Sequence, residues 1–172
     1  MTFQKGVGLI EVLVALLLLG IGVLGYAALY LRAMDASSEA LIRSQAIVIS
    51  KGLTESIRVN PEGQSDYPAA VRRYTTLNAR PVATRACVNV STSCTPAEVA
   101  AYDAFLAADS AFTLGMRLTM TECPGTDDAA TPRNCIFVAW GGTTLNGTDY
   151  SQCMNDAGVY ATRSNCLMME AY

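Results

Sequence analysis

Between Val7 and Leu31 the chain carries a single charged side chain, the carboxylate of Glu11. An acid inside such an apolar run is chemically costly. Placing Asp at the centre of a membrane helix costs about 2.5–3.5 kcal/mol even on lenient insertion scales, so an intramembrane carboxylate marks a function until shown otherwise. A buried carboxylate left alone takes up a proton. One given a cation stays ionised, because opposite charges attract far more strongly in low dielectric than in water. A cut in the backbone just before Val7 would supply that cation as an alpha-amino group, one helical turn from Glu11.

The element that must hold this acid is readable directly. Val12 through Leu31 is uncharged and mostly apolar, and as a helix it spans the roughly 30 Å of a hydrocarbon core. A secretory signal has a shorter apolar core, followed by a small-residue cleavage site. Here the apolar run continues into Arg32 and a helical pattern, so the segment is expected to be retained. Ahead of it lies a short polar leader, residues 1–6, with Lys5 as its only side-chain charge and Gly6 at its end.

Gly6 followed by Val7-Gly8-Leu9-Ile10-Glu11-Val12-Leu13-Val14-Ala15 resembles the class III signal of type IV pilins and type II secretion pseudopilins. That resemblance implies cleavage by prepilin peptidase between Gly6 and Val7, N-methylation of Val7, and pairing of Glu11 with the N-terminal amine of a neighbouring subunit. Val7 and Gly8 depart from the family's usual Phe and Thr. Gly20, Gly22 and Gly25 interrupt the span, each costing about 1 kcal/mol of helix stability relative to Ala. Close helix packing accounts for them; so does local unwinding in a filament, which the resemblance implies.

Beyond the span, Ile42, Ala46, Ile49, Leu53 and Ile57 recur at helical spacing, while Arg43, Ser44, Lys51, Glu55 and Arg58 fall off that stripe. The pattern predicts one helix from about Val7 to Val59, closed by Asn60-Pro61-Glu62-Gly63. From Pro61 to about Arg85 the sequence reads as a loop with a short helical piece around Ala69 to Leu77. Thr95-Pro96-Ala97-Glu98 predicts a capping box opening a helix to about Ala108. Alternation from Phe112 to Thr121 predicts a strand with one buried face; Cys135–Trp140 and Asn165–Tyr172 are further strand candidates. The plan is α+β: a long N-terminal helix packed on a small antiparallel sheet, matching the pilin fold. It divides into a leader (1–6), a membrane and filament-core helix (7–31), an amphipathic continuation (32–60) and a disulfide-containing head (61–172).

All six cysteines, Cys87, Cys94, Cys123, Cys135, Cys153 and Cys166, follow the apolar span. An even number there points to an oxidising compartment. Of fifteen possible pairings, the preferred one joins neighbours in sequence, because each bridge would close a polar loop between apolar segments. Lys5 ahead of the span and the cysteines after it place the head on the non-cytoplasmic side, with Arg32 opposing the charge bias; the resemblance implies a chain anchored in the bacterial inner membrane, head in the periplasm, before it joins a surface fibre. Zinc is disfavoured: the chain has no histidine and no short CxxC spacing. A net charge of -3 and a pI of 4.9 oppose a broad grip on nucleic acid.

Three stretches resemble the type IV pilus modification protein family of minor pilins, PilV: Ile10–Leu16 with Gly20–Gly25, Leu53–Asn60, and Cys94 followed by Ala100-Ala101-Tyr102-Asp103-Ala104-Phe105. The resemblance implies a non-enzymatic subunit without cofactor, acting in pilus initiation and assembly, tip adhesion or twitching motility. Its partners would be other minor pilins, the major pilin, prepilin peptidase and the inner-membrane assembly platform. The alternative is a minor pseudopilin of type II secretion, whose leader is nearly the same. A membrane-anchored periplasmic enzyme is remoter: a serine nucleophile would lack its commonest base, and the only adjacent carboxylates are Asp127 and Asp128.

Overall fold

The computed structural model describes residues 8–88, 93–126 and 133–172. Helix α1 runs Leu9–Val59, followed by a 3-10 turn at Pro61–Asp66, helix α2 at Tyr67–Arg72 and helix α3 at Pro96–Thr113. Strands β1 (Met116–Glu122), β2 (Asn134–Trp140) and β3 (Cys166–Glu170) complete the chain. They form one antiparallel sheet in the order β1-β2-β3, with Leu118 opposite Val138 and Val138 opposite Leu167. This is an α+β, pilin-like arrangement of a long helix and a small three-stranded sheet.

Two compact units divide the chain, one to Ile42 and one from Arg43. In the first, every described residue before Ile42 is exposed. The second is a packed head. Within it Ala46, Ile49, Leu53 and Ile57 of α1 are buried, four residues of the stripe read from the sequence. Ser50 shares that face, its hydroxyl satisfied by donating to the Ala46 carbonyl at 2.9 Å. Apolar burial at this spacing is what stabilises the helix, at roughly 1.5–3 kcal/mol per large side chain.

The region after α1 is more helical than its polar composition implies. Pro61 opens the 3-10 turn and Pro68 sits in the first turn of α2, positions where a missing N–H costs nothing. The short helix therefore begins two residues before Ala69 and ends before Leu77. In α3 the capping box is complete: Thr95 Oγ1 accepts from the Glu98 N–H at 3.3 Å, and Glu98 Oε2 accepts from the Thr95 N–H at 2.8 Å.

That helix passes Ala108 and takes in Phe112, so the strand starts at Met116 rather than Phe112. Ala104, Ala107, Ala108 and Ala111 make a buried helical stripe that outweighs the alternation read for Phe112 and Leu114. Gly115, at φ +70°, makes the reversal into β1. Nor is β1 buried on one face alone: Thr119 and Thr121 are buried as well as Leu118 and Met120, because the sheet is covered on both sides. Thr119 donates to the Gly147 carbonyl, which makes its burial tolerable.

Candidate functional site

Glu11 lies in the first turn of α1, where its backbone N–H donates to the Gly8 carbonyl at 3.0 Å. Its carboxylate has no ion-pair partner among the described residues. The surface around it is apolar and open: Ile10 is 72% exposed, Val12 49% and Leu13 56%. α1 is long and apolar enough to cross a membrane, and an apolar surface of this extent marks a lipid or subunit contact. Gly6 and Val7, the expected cleavage and methylation positions, lie outside the described residues, so Glu11 is the one member of that group with a described position.

Gly20, Gly22 and Gly25 fall within regular helix. Apart from the adjoining residues and backbone of the helix itself, nothing lies within 4 Å of where a Cβ would stand at any of the three. Nothing packed against these positions requires glycine there.

In the head the cysteines pair as Cys87–Cys94, Cys123–Cys135 and Cys153–Cys166. Cys123–Cys135 ties the end of β1 to the start of β2. Cys153–Cys166 ties the long β2–β3 connection to β3, inside a cluster with Phe137, Ala139, Leu145 and Met154. The Tyr150 ring stacks on Phe137 with centroids 4.5 Å apart. The connection is thereby held to the sheet over a stretch with little regular structure of its own.

A second polar centre was not legible in local sequence. Tyr67, fully buried, donates to Asp103 Oδ2 at 2.6 Å and lies 3.2 Å from the Ser56 carbonyl. Asn60 Nδ2 donates to the Tyr67 hydroxyl at 3.3 Å and to the Pro96 carbonyl at 2.9 Å. Burial pushes the Tyr67 phenol above its ordinary range, with the Asp103 carboxylate adding to the effect. Burial also raises Asp103, against the pull of the Tyr67 hydrogen bond. The centre joins the end of α1, the start of α2 and the first half of α3. Its members sit in two of the stretches that carried the family resemblance, ending at Asn60 and containing Asp103, yet nothing in either points to Tyr67.

This arrangement suits a structural subunit. Among the described residues no group of three His, Cys, Asp or Glu side chains could hold a metal ion. Asp127 and Asp128 lie outside the described residues.

A long helix with an exposed apolar stretch and a disulfide-tied head of helices and one small sheet make a pilin-like fold. Residues 1–27 match the prokaryotic N-terminal methylation motif, and residues 28–105 match the family described as type IV pilin Tt1218. The two matches abut, and over residues 1–105 the chain is similar to the type IV pilins, a structural family. The motif implies processing by the prepilin peptidase and assembly into a pilus with other pilins. No curated protein and no solved structure matches the chain.

Proposed function

We propose that the chain is a minor pilin of the type IV pilus, of the pilus modification protein (PilV) group, acting in pilus initiation and assembly and serving adhesion or twitching motility at the tip. Residues 1–6 are the leader, cut between Gly6 and Val7 on the cytoplasmic face, with Val7 then methylated. Residues 7–31 anchor the subunit in the inner membrane and later form the filament core. Residues 32–60 carry the helix into the head, and residues 61–172 form a head that faces the periplasm before assembly. The partners are the major pilin, other minor pilins and the assembly platform.

The observation that supports this most is Glu11, the single charged side chain in the exposed 9–31 part of α1, with no ion-pair partner among the described residues. A carboxylate carried into lipid needs a cation. The new amine of Val7 on an adjacent subunit supplies one, and satisfying it sets the axial register of stacking.

The test is done in the native host. Mass spectrometry of the N-terminal peptide should show a chain starting at Val7; one still starting at Met1 beside an active peptidase rejects the reading. Glu11→Ala should abolish recovery of the protein in sheared pili while leaving it in the membrane, and unchanged incorporation would defeat the electrostatic account. A deletion strain should lose twitching. Lost exoprotein release with twitching intact would instead identify a pseudopilin of type II secretion.

A further inference from the structure

At one end of the sheet a cavity of about 450 Å³ opens between the turn after α2, the start of β1 and the segment following β2. Its size lies within the roughly 300–1,000 Å³ of typical small-molecule sites. Thr75 lines it, 1% exposed, and its Oγ1 is the one buried side-chain polar atom among the described residues without a hydrogen-bond partner. A buried hydroxyl without a partner is a standing cost that a polar ligand in the cavity would remove.

The charge in the cavity has one sign. Arg117 is its only charged lining residue, half-buried, with Cζ 5.8 Å from the centroid of the Phe112 ring. Arg58, Arg80, Arg85 and Arg133 are each held in an ion pair, and Arg117 is in none of those four. A guanidinium forks two parallel N–H donors onto a carboxylate, which gives both strength and orientation.

The remaining lining divides by chemistry. Asn78, Asn146, Thr76 and Thr144, all exposed, offer amide and hydroxyl groups. Trp140 and Leu145, each 5% exposed, give an apolar wall. Hydroxyl and amide groups lining one cavity with apolar side chains suit a ring that has polar edges and a C–H face. One cation with no acid beside it suits a carboxylate on that ring.

We propose that this cavity is a binding site for a carboxylated sugar of the uronic acid type, with Arg117 holding the carboxylate and Thr75 a ring hydroxyl. The site lies wholly in the head and goes beyond the assembly role. It does not depend on Glu11, so the two readings fail separately.

The test uses the full chain in detergent micelles and ligand-observed NMR with glucuronate, glucose and inorganic phosphate. Saturable binding is expected for glucuronate and not for the other two. Arg117→Gln should weaken it by roughly tenfold or more, and Thr75→Val by roughly threefold or more. The fold of each variant is checked by the fluorescence of Trp140, the only tryptophan. Thr75→Val only removes a hydroxyl without a partner, so it should stay folded and decides the matter alone if Arg117→Gln does not. The proposal is overturned if glucuronate shows no saturation, if both folded variants bind it as well as the parent, or if glucose or phosphate binds equally well.

Discussion

Tyr67 and Asp103, 36 residues apart in sequence, meet in a 2.6 Å hydrogen bond that fastens α2 to α3 beneath the end of α1. A hydrogen bond to a charged group contributes roughly 1.5–3 kcal/mol, and removing one partner leaves the other buried and unsatisfied. Tyr67→Phe should therefore lower head stability by about 1–3 kcal/mol, read as a lower unfolding midpoint from Trp140 fluorescence. The pH dependence has a definite sign. Because the folded phenol is pushed above its ordinary value of 10.0, the folded state keeps a proton that the unfolded state has released. Stability falls as pH rises above the unfolded value, towards the folded one. Tyr67→Phe should flatten that alkaline decline. It should also let the Asp103 carboxyl titrate higher, since the Tyr67 bond is what holds it down.

Gly63 is buried at the turn beyond α1. A Cβ there would stand 2.5 Å from Asn60 Nδ2 and 2.5 Å from the Pro96 carbonyl oxygen. These two atoms are bonded to each other, so neither can yield without loss of the Asn60–Pro96 hydrogen bond. Gly63→Ala should cost about 1–3 kcal/mol, the usual range for overpacking. The neighbouring Glu62→Ala, at an exposed position, serves as the control and should leave the midpoint unchanged.

These two cases show what was legible in the sequence. Asn60-Pro61-Glu62-Gly63 was readable as the end of a helix because that signal is local, but the reason Gly63 must be glycine is the approach of Pro96, which no local pattern encodes. The Ile42–Ile57 stripe and the capping box at Thr95 were legible for the same reason: each is a periodicity or a short-range hydrogen-bond pattern. Phe112 and Leu114 misled because two-residue alternation and a buried alanine stripe overlap there, and tertiary packing decided for the helix. Glu11 stood out through its chemistry, whereas Thr75 and Arg117 have ordinary neighbours and line one cavity only because the turn after α2 and the start of β1 are brought side by side.

The three disulfides should differ in what they contribute. Cys153 and Cys166 are 0% and 1% exposed within a packed cluster, and their bridge anchors to β3 a connection built from turns and isolated bridges. Replacing both with Ala should cost about 2–4 kcal/mol and release the 153–166 segment to limited proteolysis. Cys87 and Cys94 are only half-buried and close a shorter loop, with a sequence separation of 7 against 13. Their replacement should cost less, and mild reductant should open that bridge first, as followed by thiol labelling and peptide mapping.

Glu98 joins two functions at the start of α3, capping the helix and pairing with Arg85 through a 2.6 Å contact. The backbone hydrogen bond from Thr95 is the main reason its carboxyl sits below the usual range, with Arg85 contributing further. A carboxyl lowered on folding contributes stability that is present above its unfolded pKa and is lost as pH falls through the folded one. Glu98→Gln keeps an acceptor for the Thr95 N–H but does not titrate, so the variant should be less stable than the parent at neutral pH. The gap should close on acidification, as the parent loses what the variant never had. Unfolding midpoints for both proteins between pH 2 and 7 check this, and a gap that holds constant into acid would mean that the charge on Glu98 contributes nothing to the cap.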